Sequence, residues 1–101
     1  VLWLDVGCGT GKMYEAAKDR ISIQEFIFTD ISEKMLAVAK ERLQKGTNSF
    51  RQMSVLELED LEKYDVVTAI QVYHYLSKED RRLAIEKCFL ALKPGGIVFY
   101  F

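Results

Sequence analysis

Residues 2–12, LWLDVGCGTGK, constrain the fold more than any other stretch of this chain. An apolar run broken only by Asp5 stops at Val6 and drops into a loop with glycine at positions 7, 9 and 11, after which helix formers begin. A short continuous apolar run suits a strand buried on both faces. A strand that passes through bare backbone into a helix is the first half of a parallel unit, because parallel strands need a crossover between them.

The rest of the chain repeats the alternation. KMYEAAKDR (12–20) predicts a first helix, and EFIFTD (25–30) a second strand. Ser32 is a suitable N-cap for EKMLAVAKERLQK, with Gly46 just past its end. Met35, Leu36, Val38, Ala39 and Leu43 form the apolar face expected of that helix. SFRQM (49–53) is a weaker strand, followed by an acidic connector through Asp60, and YDVVTAI (64–70) is a stronger one. Ser77 caps a further helix whose buried stripe is expected at Leu83, Ile85, Cys88, Phe89 and Leu92. Pro94-Gly95-Gly96 stops it, and IVFYF (97–101) is the last strand. No hairpin signal separates the strands. The expected fold class is therefore α/β: one domain over residues 1–101, a doubly wound, Rossmann-like, mostly parallel sheet with helices on both faces. Such sheets take ligands beyond the carboxyl ends of their strands, where strand order reverses. The glycine loop lies at such an end.

Composition narrows the function. Half of the 101 residues are hydrophobic, 29% are charged and the net charge is −1, which describes a globular chain rather than a disordered one. No run of Lys or Arg leaves a nucleic-acid footprint. No stretch approaches the ~18 apolar residues of a membrane span, and none matches a secretory signal. Cys8 and Cys88 are too few for a zinc site, so no metal is expected, and both thiols are expected to stay reduced in the cytoplasm. The chain begins at Val1 and stops at Phe101 inside apolar runs, which would leave an open sheet edge. It is therefore expected to be a piece of a longer protein, truncated after the fifth strand.

Three ligands could need this loop. A triphosphate site requires G-x-x-x-x-G-K-[ST], but Val6 stands five positions before Gly11 and Met13 replaces the hydroxyl. A dinucleotide site requires a third glycine at position 12, which is Lys12. S-adenosylmethionine has no pyrophosphate to wrap and needs only backbone that can approach its methionine part. VLWLDVGCGTG, FTDISEKMLAVAKER, YDVVTAIQVYHYL and LKPGG, in that order, closely resemble the class I S-adenosylmethionine-dependent methyltransferases, and the resemblance covers essentially the whole chain.

That resemblance implies a role for each matching residue. Gly7, Cys8, Gly9 and Gly11 would lay bare backbone against the methionine moiety, because a side chain at Gly7 or Gly9 would fill ligand space or forbid the backbone angles. A plain turn is expected to need only one glycine at positive φ. Asp5 would favour the cofactor's ammonium group. Asp30 would accept both ribose hydroxyls, a task suited to an acceptor-only carboxylate, and Ile31 would lie on the adenine face. Where the family often has an aspartate near the adenine amino group this chain has Ser54, whose hydroxyl, or the backbone of Val55, could take its place. Gln71 to Tyr75 would border the methyl-transfer site, with Gln71 toward the cofactor and His74, the chain's single histidine, as a candidate general base. Tyr73 and Tyr75 are expected to pack.

The expected activity is in-line transfer of a sulfonium methyl to a small-molecule acceptor, yielding S-adenosylhomocysteine. AIQVYH lacks the (Asp/Asn)-Pro-Pro-Tyr pattern of enzymes that methylate adenine or glutamine amino groups. Two alternatives are a cofactor-binding module without chemistry and a nicotinamide-dependent oxidoreductase.

Overall fold

The computed structural model describes residues 1–70 and 72–100, leaving aside the side chain of Tyr73. Ten elements follow in order: β1 (Leu2–Val6), α1 (Lys12–Ala17), β2 (Glu25–Asp30), α2 (Glu33–Leu43), β3 (Ser49–Gln52), a 3₁₀ turn (Val55–Glu57), β4 (Tyr64–Ala69), a second 3₁₀ turn (Val72–Tyr75), α3 (Lys78–Ala91) and β5 (Leu92–Tyr100). The strands form one sheet in the order β3-β2-β1-β4-β5, and every pairing is parallel. Strand order reverses between β1 and β4, so the crevice expected of a doubly wound sheet opens above Val6 and Ala69.

Each strand sends alternate residues to opposite faces. On one face Trp3, Phe26 and Phe28 of the sheet cluster with Ala17 of α1 and with Ala39 and Leu43 of α2. On the other, Leu4, Val6, Ile27 and Val67 cluster with Ala84 and Cys88 of α3 and with Val55 and Leu58. The aromatic side of the core is continuous: Phe28 stacks on Phe50 with centroids 4.6 Å apart, and Phe26 lies 4.6 Å from Phe28.

The helices depart from their expected faces. In α3 the buried residues are Ala84, Cys88 and Ala91, while Leu83 and Phe89 are exposed. Small side chains at i, i+4 and i+7 let the helix sit close on the sheet and turn the larger ones outward. Leu92 already belongs to β5, paired with Tyr64. In α2, Ala39 and Leu43 are buried and Leu36 is half-buried, but Met35 and Val38 are exposed. Helix α1 stops at Ala17 rather than Arg20, where two amides, of Arg20 and Ile21, turn back onto the Ala17 carbonyl. Pro94-Gly95-Gly96 forms a bulge within β5: Tyr64 pairs with Leu92 and Val66 with Ile97, so Lys93–Gly96 loop out. The caps match expectation. Ser32 Oγ accepts from Met35 N at 3.3 Å, and Ser77 Oγ from Asp80 N at 3.1 Å.

Candidate functional site

A cavity of about 460 Å³ opens at the crevice between β1 and β4, within the size range of small-molecule sites. The glycine loop, the carboxyl end of β2 with the first turn of α2, the segment after β3 and the segment after β4 each supply wall. Of the expected site residues, Gly7, Gly9, Asp30, Ile31, Ser54 and Val55 line it. Asp5, Cys8, Gly11 and His74 do not. Gln71 lies outside the described residues.

All three glycines of the loop have positive φ: +69° at Gly7, +56° at Gly9 and +93° at Gly11. The turn itself thus uses three left-handed residues, against the expectation that one would suffice, and it uses each for a different end. A Cβ at Gly7 would meet Val72 Cγ2 at 2.9 Å, so that glycine lets the second 3₁₀ turn close over the loop. A Cβ at Gly11 would fall 2.2 Å from Leu43 Cδ1 and 3.3 Å from Phe28 Cε2, so that glycine admits α2 against the sheet. Only Gly9 faces open space, with no atom within 4 Å of where its Cβ would stand. Bare backbone for a ligand is concentrated at Gly9.

Asp30 ends β2 beside that opening. Its Oδ2 accepts from Gly9 N and its Oδ1 from Ser32 N, each at 2.8 Å. One carboxylate therefore ties the glycine loop to the start of α2. Each oxygen retains a further acceptor site, so a vicinal diol can bond the same group. Ile31 and Met35, both exposed, form one wall of the cavity, and Met53 and Val55 belong to the facing segment. An apolar slot of this kind suits a flat ring. Met35 escaped sequence reading because its helical spacing matches a core position; its place next to the β2 end was the available signal. Ser54 lines the cavity, but its hydroxyl already accepts from Leu56 N at 3.2 Å, while Glu57 caps Ser54 N at 2.8 Å. The side chain expected to read an adenine edge is thus committed first to shaping its own turn.

Asp5 lies on the other face of β1, with Trp3. Trp3 Nε1 donates to Thr68 Oγ1 at 3.0 Å, and Thr68 Oγ1 donates to Asp5 Oδ1 at 2.6 Å. Burial pushes the carboxyl up to about 7, partly offset by the Thr68 hydrogen bond, with the charge of Asp30 adding to the rise. Cys8, buried in the same layer, is pushed up to about 12 by burial and by Asp5 and Asp30, which makes it a poor nucleophile. The folded chain holds the Asp5 proton up to about pH 7, whereas the unfolded carboxyl loses it near 3.8. Between those limits the folded state binds more protons, so stability falls as pH rises through the window. Asp5→Asn is expected to flatten that fall and to be more stable than the parent at pH 8 but not at pH 4. Urea midpoints of both forms at the two pH values check this.

His74 is exposed on the second 3₁₀ turn, whose Val72 and Tyr75, with the following Leu76, line the cavity. The structure brings its turn to the site without bringing the imidazole into the wall. Ile70, Val72 and Leu76 make that side apolar. Among the described residues no three His, Cys, Asp or Glu side chains are grouped to hold a metal ion, and no helix is long and apolar enough to cross a membrane.

Comparison with known proteins is consistent across sequence and fold. Residues 4–98 match the family model described as a methyltransferase domain. A ubiquinone biosynthesis O-methyltransferase of Pseudomonas fluorescens (strain Pf0-1) is 39% identical over 101 residues, an alignment covering 96% of this chain and 42% of that protein. A solved Mesorhizobium loti structure, described as an S-adenosylmethionine-dependent methyltransferase, superposes with a TM-score of 0.83 at 24% identity, over 98% of this chain and 45% of that one. The structure of the cyclase SpnF superposes with a TM-score of 0.82 at 28% identity, over 99% of this chain and 38% of that one. The chain thus spans less than half the length of each of these proteins.

Proposed function

The chain belongs to the methyltransferase domain family, and from that premise we propose that it is the core of an S-adenosylmethionine-dependent methyltransferase acting on a small-molecule acceptor. The observation that carries the reading is the pairing of Gly9, whose missing side chain leaves open space, with the Asp30 carboxylate that holds its amide. Bare backbone beside an acceptor-only group matches a ligand bearing both an amino-acid tail and a ribose diol. A nicotinamide dinucleotide fits less well, because Gly11 is closed by Leu43 and Lys12 stands where the third glycine is required.

In this reading Gly7 and Gly9 hold the methionine portion, Asp30 the ribose hydroxyls, and Ile31, Met35, Met53 and Val55 the adenine. Asp5 contributes from below the loop: a cation above it favours the ionised carboxylate, so the two support each other through charge rather than contact. When bound, the cofactor supplies a methyl group on a positively charged sulfur that leaves as neutral S-adenosylhomocysteine. The chain's own contribution is alignment and exclusion of water by the apolar wall of Ile70, Val72 and Leu76. His74 would serve as base only if its turn carried it inward on acceptor binding. The O-methyltransferase relatives favour an oxygen acceptor.

The test is transfer of labelled methyl from S-adenosylmethionine by the intact protein to a panel of phenols, alcohols, amines and thiols. Labelled phenol or alcohol is expected; labelled amine or thiol alone would overturn the oxygen assignment. SpnF, a cyclase on the same fold, favours keeping a second reading, in which the cofactor is bound without transfer. Saturable binding with no labelled product across the panel would assign that reading instead.

A further inference from the structure

We propose that Arg42 is a positioning residue for the cofactor loop, holding its Thr10 carbonyl from the last turn of α2; the proposal rests on the cofactor reading above. Nη1 of Arg42 donates to Thr10 O at 2.6 Å, and its Nη2 pairs with Glu15 of α1. The next residue, Leu43, is buried directly beneath Gly11. Two consecutive residues of α2 therefore grip a loop some thirty positions earlier in the chain, while Asp30 grips it from the other side through Gly9 N.

The loop needs such a grip. Three left-handed glycines leave it with more backbone freedom to lose on folding than the chain's other five-residue stretches, none of which holds three glycines. The peptide between Thr10 and Gly11 is its weak point: it can rotate at little steric cost because Gly11 tolerates almost any φ. In the folded chain that peptide is fixed at both ends, with Gly11 N donating to Cys8 O at 3.0 Å and Thr10 O accepting from Arg42. The bond to Thr10 O is charge-assisted and, like the ion pair, exposed, so its effect falls on the orientation of one loop peptide rather than on global stability. The Arg42–Glu15 ion pair, with both side chains about 40% exposed, is of the kind that contributes little. The action of Arg42 is therefore assigned to the loop carbonyl, and the ordering of the loop before binding is its effect on affinity.

Electrostatics alone makes a different prediction. S-adenosylhomocysteine carries no net charge, so removing a nearby positive charge would by itself leave its affinity unchanged. The experiment uses the intact protein in four forms: parent, Arg42→Met, Arg42→Lys and Glu15→Gln. Calorimetry with S-adenosylhomocysteine measures affinity, and amide hydrogen exchange at Gly11 without ligand measures loop order. Arg42→Met is expected to weaken binding roughly tenfold and to speed Gly11 exchange by a similar factor at unchanged global stability. Arg42→Lys, which keeps one donor, is expected to recover part of both, and Glu15→Gln to stay within about twofold of the parent. Unchanged Gly11 exchange in Arg42→Met, or an equal loss in Glu15→Gln, would overturn the proposal. If the parent binds no S-adenosylhomocysteine, the cofactor reading fails, while the exchange data still decide whether Arg42 orders the loop.

Discussion

Asp30→Ala is expected to weaken S-adenosylhomocysteine binding by a factor of about 100 or more, the largest loss of any single change in the cavity. Two contributions combine. The diol loses a charged acceptor, and charge-assisted hydrogen bonds of this kind contribute roughly 1.5–3 kcal/mol. The loop also loses its tie, because the same two oxygens hold Gly9 N and Ser32 N at 2.8 Å. Freeing Ser32 costs helix α2 part of its start, by about 1 kcal/mol on the scale of lost caps. Asp30→Asn keeps one acceptor oxygen and is expected to fall between parent and alanine in affinity. Calorimetric titration of the three forms, beside their urea midpoints, separates the lost ligand contact from the lost tie. An alanine variant that binds like the parent would remove Asp30 from the site.

The second large effect separates two glycines two residues apart. Gly11→Ala is expected to destabilise the fold by about 2–3 kcal/mol, from overpacking against Leu43 together with the cost of a side chain in the left-handed region. The added Cβ would lie 2.2 Å from Leu43 Cδ1 at a φ of +93°. Leu43→Ala in the same chain should return part of that loss, since the two changes share one space. Gly9→Ala meets no neighbour and should cost only about 1 kcal/mol of stability for its positive φ. Its new methyl group enters the cavity, so it should weaken S-adenosylhomocysteine binding at least tenfold while the protein remains folded. Chemical denaturation of each variant, followed by titration of those that fold, checks the split. Equal effects at both glycines on both measurements would show that the loop is a structural turn alone.

The strands could be read from the sequence because their signal is local. EFIFTD is β2 to the residue, and Ser32 and Ser77 cap where expected, since alternation and capping depend on neighbours only a few positions away. Parallel topology followed from the absence of hairpin turns. What the sequence concealed depends on partners far along the chain. Leu83 and Phe89 match a helical stripe as well as Ala84, Cys88 and Ala91 do, and only the closeness of α3 to the sheet selects the smaller set. Gly7, Gly9 and Gly11 are equivalent in sequence. They differ because Val72 and Leu43, from distant turns and helices, fill the space beside two of them and leave the third open. Asp5 was legible as an acid at the end of β1, but its burial and its hydrogen bond from Thr68, a partner 63 positions along the chain, were not.

The central claim is that the crevice above β1 and β4 takes an adenosine-bearing cofactor with an amino-acid tail. Parallel calorimetric titrations of the intact protein with S-adenosylhomocysteine and with NADH test it most directly. Saturable binding of S-adenosylhomocysteine at one site, with no heat from NADH, is the predicted result. Binding of NADH, or no binding of S-adenosylhomocysteine by protein shown to be folded, would contradict it.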